Sequence, residues 1–169
     1  MRFGADAREV RRSSIVLLPY TPASVAVARQ RLTAELLAAG IFDAAVGDAA
    51  LVISELLSNA ICHAHPLPGS CLQVAWALDR DRVEVAVSDG GGWTRPRPAR
   101  ASLSSLGGRG LGIVEHLSST WGVRTDDVGI TVWAVLPAPV GIGNGHSSCL
   151  KLSSDDAKFP AMSNQFRNW

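Results

Sequence analysis

Apolar residues recur along this chain in two rhythms. The run Ile15-Val16-Leu17-Leu18, closed by Pro19, predicts a short buried strand over Ser13–Pro19. Thr21-Pro22 is a helix-start signal, and the Ala-, Leu- and Arg-rich stretch that follows predicts a helix to Ala39, stopped by Gly40. From Asp43 to Ala64 the spacing of Val46, Ala50, Ile53, Leu57 and Ile61 marks the buried stripe of a second, longer helix, broken by Pro66, Pro68 and Gly69. The rhythm then changes to alternation. Leu72, Val74 and Trp76, then Val83, Val85 and Val87, predict strands over Cys71–Leu78 and Arg82–Ser88, with Asp79-Arg80-Asp81 as the hairpin turn.

Residues Gly90–Gly108 are rich in Gly, Pro, Arg and Ser and poor in apolar anchors, which inside a compact domain reads as a lid or binding loop. A short helix over Leu111–Ser119 and a closing strand pair, Trp121–Arg124 and Gly129–Leu136, complete the pattern. The predicted order is β-α-α-β-β-lid-α-β-β, an α+β fold with helices layered on one face of a mostly antiparallel sheet. The expected division is an N-terminal extension over 1–12, a domain over 13–137 and a flexible tail over 138–169, where Pro, Gly and Asn give way to a stretch without period.

Composition narrows this picture. With 47% hydrophobic and 18% charged residues in 169, the chain has material for one packed domain and is unlike a disordered chain. A formal net charge of +1 supplies no strong field, so neither direct nucleic-acid binding nor a membrane surface is expected. Cys62, Cys71 and Cys149 are odd in number and far apart, which suits free thiols in a reducing compartment rather than a disulfide framework or a C-x-x-C metal site. The first twelve residues have no apolar core of the signal-peptide kind and no uninterrupted apolar run is long enough to span a bilayer, so a cytoplasmic protein is expected.

Three stretches carry candidate chemistry. Glu55, Asn59 and His63 follow one another at i, i+4 and share a helix face. A carboxylate one turn from an amide suits a metal–phosphate site: an Asn59 amide oxygen is a hard ligand of the kind Mg²⁺ takes, and Glu55 can accept a proton near a terminal phosphate. Such a face also occurs as plain solvated surface, and His63 near the helix end suits the helix dipole as well as any ligand. Second, the strand Val85-Ala86-Val87-Ser88 runs into Asp89-Gly90-Gly91-Gly92. Asp89 can accept a hydrogen bond from an exocyclic amine such as adenine's while the glycines let backbone approach a flat ring; an ordinary turn has the same residues. Third, Gly107-Gly108-Arg109-Gly110-Leu111-Gly112 opens a helix whose free N–H groups would cradle an anion. No Gly-Lys-Ser/Thr follows, and the motif does not leave the first strand of a βαβ unit, so neither a P-loop nor a dinucleotide fold fits.

Taken in order, the E-x-x-x-N helix, the D-x-G strand end and the G-x-G-L-G helix start resemble the N, G1 and G2 boxes of the GHKL (histidine-kinase-like) ATPases, over roughly residues 13–137. The small size and the ending Trp121-Gly122-Val123 … Thr131-Val132-Trp133 resemble the anti-sigma-factor serine/threonine kinase branch, of the stand-alone actinomycete type. The resemblance implies the Bergerat two-layer α/β sandwich, with ATP and Mg²⁺ as ligands. It also implies Glu55 as catalytic base, Asn59 as Mg²⁺ ligand, and Asp89 and Gly91 at the adenine. Gly108, Gly110, Leu111 and Gly112 would lie at the lid hinge and phosphates, and Thr131 in the adenine pocket. Implied partners are a sigma factor and a small antagonist (anti-anti-sigma) protein whose Ser or Thr is phosphorylated, with a homodimer compatible with the family. The alternative is a module that binds ATP and clamps a partner without phosphotransfer. Two departures stand out: Trp93 replaces the last glycine of the G1 box, and residue 130 is Ile where the branch favours a polar side chain. His65, His116 and His146 have no motif context.

Overall fold

The computed structural model describes residues 12–92 and 108–141. Eight elements follow in the predicted order: β1 (Arg12–Pro19), α1 (Ala23–Ala38), α2 (Asp43–His63), β2 (Cys71–Asp79), β3 (Arg82–Asp89), α3 (Gly108–Leu117), β4 (Thr120–Thr125) and β5 (Ile130–Pro137). The strands form one antiparallel sheet in the order β1-β2-β3-β5-β4. Of the expected lid over Gly90–Gly108, residues 93–107, with Trp93 among them, lie outside the described residues, as do residues 1–11 and 142–169.

Strand alternation decides which face is covered. Leu72, Val74 and Trp76 on β2, Val83, Val85 and Val87 on β3, and Val132, Ala134 and Leu136 on β5 all enter the core with the helices. Helix α1 meets them with Ala28, Leu32 and Leu36, one residue per turn. Helix α2 lies across the middle and buries a wider stripe than its spacing suggests: Ala45, Val46, Ala49, Val52, Ile53, Leu56, Leu57 and Ala60 are inside, whereas Ala50 and Ile61 are half-buried at its margin. Two adjoining apolar rows are what a helix wedged between α1, α3 and the sheet requires. By length and composition α2 would pass for a membrane span, with a mean hydropathy of 1.4 in its most apolar window, but half of that window is buried within the fold, as in the core helix of a globular domain. Helix α3 adds Leu111 and Val114.

Local chemistry sets the ends. Pro22 has helical dihedrals (φ −56°, ψ −30°) and leads into α1 as its fixed φ allows. At the other end Gly40 has φ +77°; its N–H donates to Leu37 and that of Ile41 to Leu36, a Schellman closure that returns Ile41 to the core. The β2–β3 turn is two residues, Arg80-Asp81, between the paired Asp79 and Arg82. Past β5, Ala138 is fully buried and donates to the Asp81 carbonyl, Val140 bridges Ile41, and Gly141 donates to Gly40. The packed chain thus continues four residues beyond Pro137, along the α1–α2 corner.

Two sets of polar contacts tie the layers. Glu35 Oε2 accepts from the Trp76 indole N–H and from Ser14 Oγ, both at 2.8 Å. Tyr20, just after β1, reaches the last turn of α2: its hydroxyl lies 2.7 Å from the Ile61 carbonyl oxygen and 2.5 Å from that of Ala64, and donates to carbonyls with no partner in their own helix. Burial, then the Asp89 carboxylate and Cys62, hold this phenol above its usual pKa, so it remains a donor. Tyr20→Phe removes that donor without changing the packing, and we expect a loss of about 1 kcal/mol in denaturant unfolding with an unchanged m-value.

Candidate functional site

The site is assembled where the C-terminal half of α2 meets the end of β3 and the start of α3. Glu55 and Asn59 are half-buried on one face of α2, and His63, on the same face, is exposed. The two ends of this face touch the two glycine motifs. At one end, a Cβ on Gly110 would lie 2.5 Å from Glu55 Oε2, so α3 begins directly against the Glu55 carboxylate, which a larger residue at 110 would push aside. At the other end, a Cβ on Gly92 would lie 3.3 Å from the His63 carbonyl oxygen. Asn59, one turn from each, therefore lies between the two motifs. Among the described residues nothing hydrogen-bonds its amide.

Strand β3 delivers Asp89 to the helix side of the sheet, in step with Val85 and Val87. The carboxylate is only 5% exposed. Its Oδ1 accepts the Gly91 N–H at 2.7 Å, and among the described residues that is the one hydrogen bond it receives. Burial pushes its pKa above the ordinary carboxylate value, against the opposing pull of the Gly91 N–H and of His65.

The glycines after Asp89 have separate jobs. A Cβ on Gly90 would be driven into the Pro66 carbonyl, which is backbone and cannot yield. Gly91 has φ +83° and faces the Ile130 side chain, whose Cδ1 would be 3.7 Å from a Cβ there. The loop is locked by main chain: the Gly90 N–H donates to the His65 carbonyl and the His65 N–H to the Gly91 carbonyl, both at 2.8 Å. A Cβ on Gly129, before β5, would collide with the Asp89 carbonyl, so the turn into β5 packs directly on this loop.

Helix α3 presents its first turn here. Its opening N–H groups, from Gly108 through Leu111, have no partner within an α-helix and offer donors and a positive dipole end to an anion. The Leu111 side chain is buried in the core, so only its backbone can serve a ligand. Gly112 has open space where a Cβ would be, and no steric demand for glycine exists there.

Thr131 departs from expectation. It stands in step with Trp133 and Val135 on the helix-free face of the sheet, where its Oγ1 is 2.7 Å from Ser88 Oγ, whereas Asp89 points to the helix side. The residue that pairs with Asp89 across the ladder and shares its face is Ile130. The Asp89 side of the site is thus bounded by an aliphatic side chain, and Thr131 is not brought to it. His65, to which the sequence assigned no role, matters through its backbone; such a contact leaves no mark on side-chain pattern.

No group of three or more His, Cys, Asp or Glu capable of holding a metal occurs among the described residues.

Burial of Asp89 has a consequence for stability. An acid whose pKa is raised on folding favours the unfolded chain increasingly as pH climbs from its ordinary value to the raised one, and the penalty is constant above that. Asp89→Asn keeps an acceptor for Gly91 and removes the charge. We expect its melting temperature to equal or exceed that of the parent at neutral pH, with the difference vanishing below about pH 4, where the parent carboxyl is protonated in both states. The melting curve as a function of pH is the measurement, and a uniformly lower Tm for the variant would contradict the burial argument.

With this geometry established, comparison with known proteins places the chain. The family model described as "Histidine kinase-like ATPase domain" matches residues 18–136. No curated protein matches the sequence. Among solved structures, that of the RsbU and RsbW domains of Rv1364c from Mycobacterium tuberculosis superposes with a TM-score of 0.59 at 23% identity. The match covers 76% of this chain and 34% of that one, so the chain spans about a third of the length of the protein it resembles.

Proposed function

The chain belongs to the histidine kinase-like ATPase domain family, and from that premise we propose that it binds Mg-ATP and acts as a cytoplasmic anti-sigma regulator that phosphorylates a Ser or Thr of a small antagonist protein. The observation that carries this reading is the placement of one face of α2, with Glu55 and Asn59, between Gly110 at the start of α3 and Gly92 beyond Asp89. These are the three parts a purine triphosphate requires: an acceptor for a ring amine, a metal ligand and an anion cradle.

The residues fit such a ligand. Asp89 accepts the exocyclic amine with its uncommitted oxygen, and Gly91 and Ile130 bound the ring. The Asn59 amide oxygen takes one position on a magnesium ion, and the first N–H groups of α3 meet phosphate oxygens. Bound ATP supplies the phosphoryl group, and the ion offsets its charge. Glu55, beside the α3 start, holds a carboxylate where the hydroxyl of a partner protein would lose its proton. The likeness to a structure containing an RsbW domain is one of fold; the sigma factor and the antagonist follow from the sequence resemblance together with that fold.

Two substitutions separate binding from transfer. Asn59→Ala should leave the fold intact and weaken Mg-ATP by at least about tenfold, or ~1.4 kcal/mol, in isothermal titration; an unchanged affinity would remove the metal assignment. Glu55→Gln should retain the nucleotide, seen as an undiminished rise of Tm with ATP, and lose transfer of labelled phosphate to an antagonist. Undiminished transfer by that variant would refute the base, whereas absence of transfer by the parent with every antagonist tried would favour a binding module without phosphotransfer.

A further inference from the structure

Asp89 pairs with Ile130 across the β3–β5 ladder, and Ile130 pairs with Thr125 across the β4–β5 ladder. Directly opposed residues share a face, so all three side chains rise on the helix side of the sheet, with Ile130 in the middle. The hydroxyl of Thr125 is thereby kept two strands away from the Asp89 carboxylate. The place of Ile130 is fixed from both sides. In the turn between β4 and β5, Asp126 Oδ1 accepts the N–H groups of Val128 and Gly129, at 2.9 and 3.0 Å, and the Asp126 N–H donates to the Gly129 carbonyl at 3.0 Å. Gly129 packs on the Asp89 carbonyl with no room for a Cβ. Ile130 itself is half-buried against the core, and its Cδ1 would meet a Cβ on Gly91 at 3.7 Å. Its side chain is therefore held beside the turn in which Asp89 bonds Gly91.

The main-chain donors next to the carboxylate are already used within the protein. The Gly90 N–H donates to the His65 carbonyl and the Gly91 N–H to Asp89 Oδ1, both inside the loop. The side chain paired with Asp89 is hydrocarbon and has no donor to add. At this edge these groups together offer an acceptor and no donor. A ring amine placed there finds its partner. A ring carbonyl placed there sets acceptor against acceptor, and against a hydrocarbon wall that cannot answer it, so its lost bond to water is not replaced. A site built in this way rejects an analogue with the wrong polar group far more strongly than one that differs by a methylene.

We propose that Ile130 is a specificity-determining residue: by setting hydrocarbon beside Asp89, where the neighbouring main-chain donors are spent, it leaves an acceptor-only edge that takes purines with an exocyclic amine and rejects those with a carbonyl at the same position. This rests on the reading of Asp89 as the acceptor of the base. A hydroxyl in place of the Ile130 side chain would lie about 5 Å, Cβ to Cβ, from Asp89. It would either donate to a ring carbonyl or occupy the carboxylate itself, and both weaken the preference for the amine.

The test is isothermal titration of the full chain with ATP and with inosine triphosphate, which carries a carbonyl where adenine has its amine, both with Mg²⁺ and at about pH 8, well above the ordinary carboxylate pKa. The parent should prefer ATP by at least about fiftyfold. Ile130→Thr, a β-branched strand former, should lower that ratio about fivefold or more, whereas Ile130→Val, which keeps the hydrocarbon, should hold it within about twofold. The ratio is the readout because a loosened fold weakens both nucleotides alike. Equal affinity of the parent for the two nucleotides overturns the proposal while leaving nucleotide binding in place. So does an unchanged ratio in Ile130→Thr, or a fall in Ile130→Val as large as that in Ile130→Thr, which would make volume and not the missing donor responsible. A folded parent that binds neither nucleotide overturns the ATP reading, and this inference with it.

Discussion

The end of α2 must stay fixed to the end of β3, and the rest of the site depends on that junction. One helix carries Glu55 and Asn59, one strand carries Asp89, and their relative position is set beyond both, where His65 exchanges backbone hydrogen bonds with Gly90 and Gly91. Tyr20 secures the same junction from β1 by bonding the last carbonyls of α2. Backbone-to-backbone bonds are suited to this because their geometry does not depend on rotamers. They also explain Gly90: with any Cβ the chain could not come close enough to the Pro66 carbonyl for the pairing to form.

Much of the architecture was legible because each element buries one face and its period shows in the apolar positions. All eight elements occur in the expected order, with bounds shifted by one to three residues. The largest shift, the start of α3 at Gly108 rather than Leu111, has a physical origin: glycines are poor helix formers in isolation, and packing of Gly110 against Glu55 overrides that preference. The stripe of α2 was read too narrowly because a single row at helical spacing describes a helix resting on one neighbour, and α2 has three. The juxtaposition of Glu55 with Gly110, separated by more than fifty residues of chain, was visible only as motif order and never as a distance.

Thr131 shows how little separates a right reading from a wrong one in a strand. Side chains alternate faces, so the choice between Ile130 and Thr131 is the choice between the helix side and the free side of the sheet. Register with Asp89 decides it, and register is not written in a strand whose Thr, Val and Trp are all good β formers. The same alternation explains why the free face went unnoticed. Ala75, Ala77 and Ala86 look like filler between the large residues of β2 and β3, although alternation sets them together on the face opposite the helices.

Asp89 and Glu84 make an instructive pair, two acids of one strand buried on opposite faces. Glu84 Oε1 has the Arg124 guanidinium at 3.4 Å, and Arg124 stacks in turn on Trp133, so this acid has a cation beside it on its own face of the sheet. Asp89 has a backbone N–H and the more distant influence of His65, and burial outweighs both. What differs is the setting: Glu84 lies beside a cation on the helix-free face, whereas Asp89 lies on the helix side, where its loop packs on the backbone beyond α2.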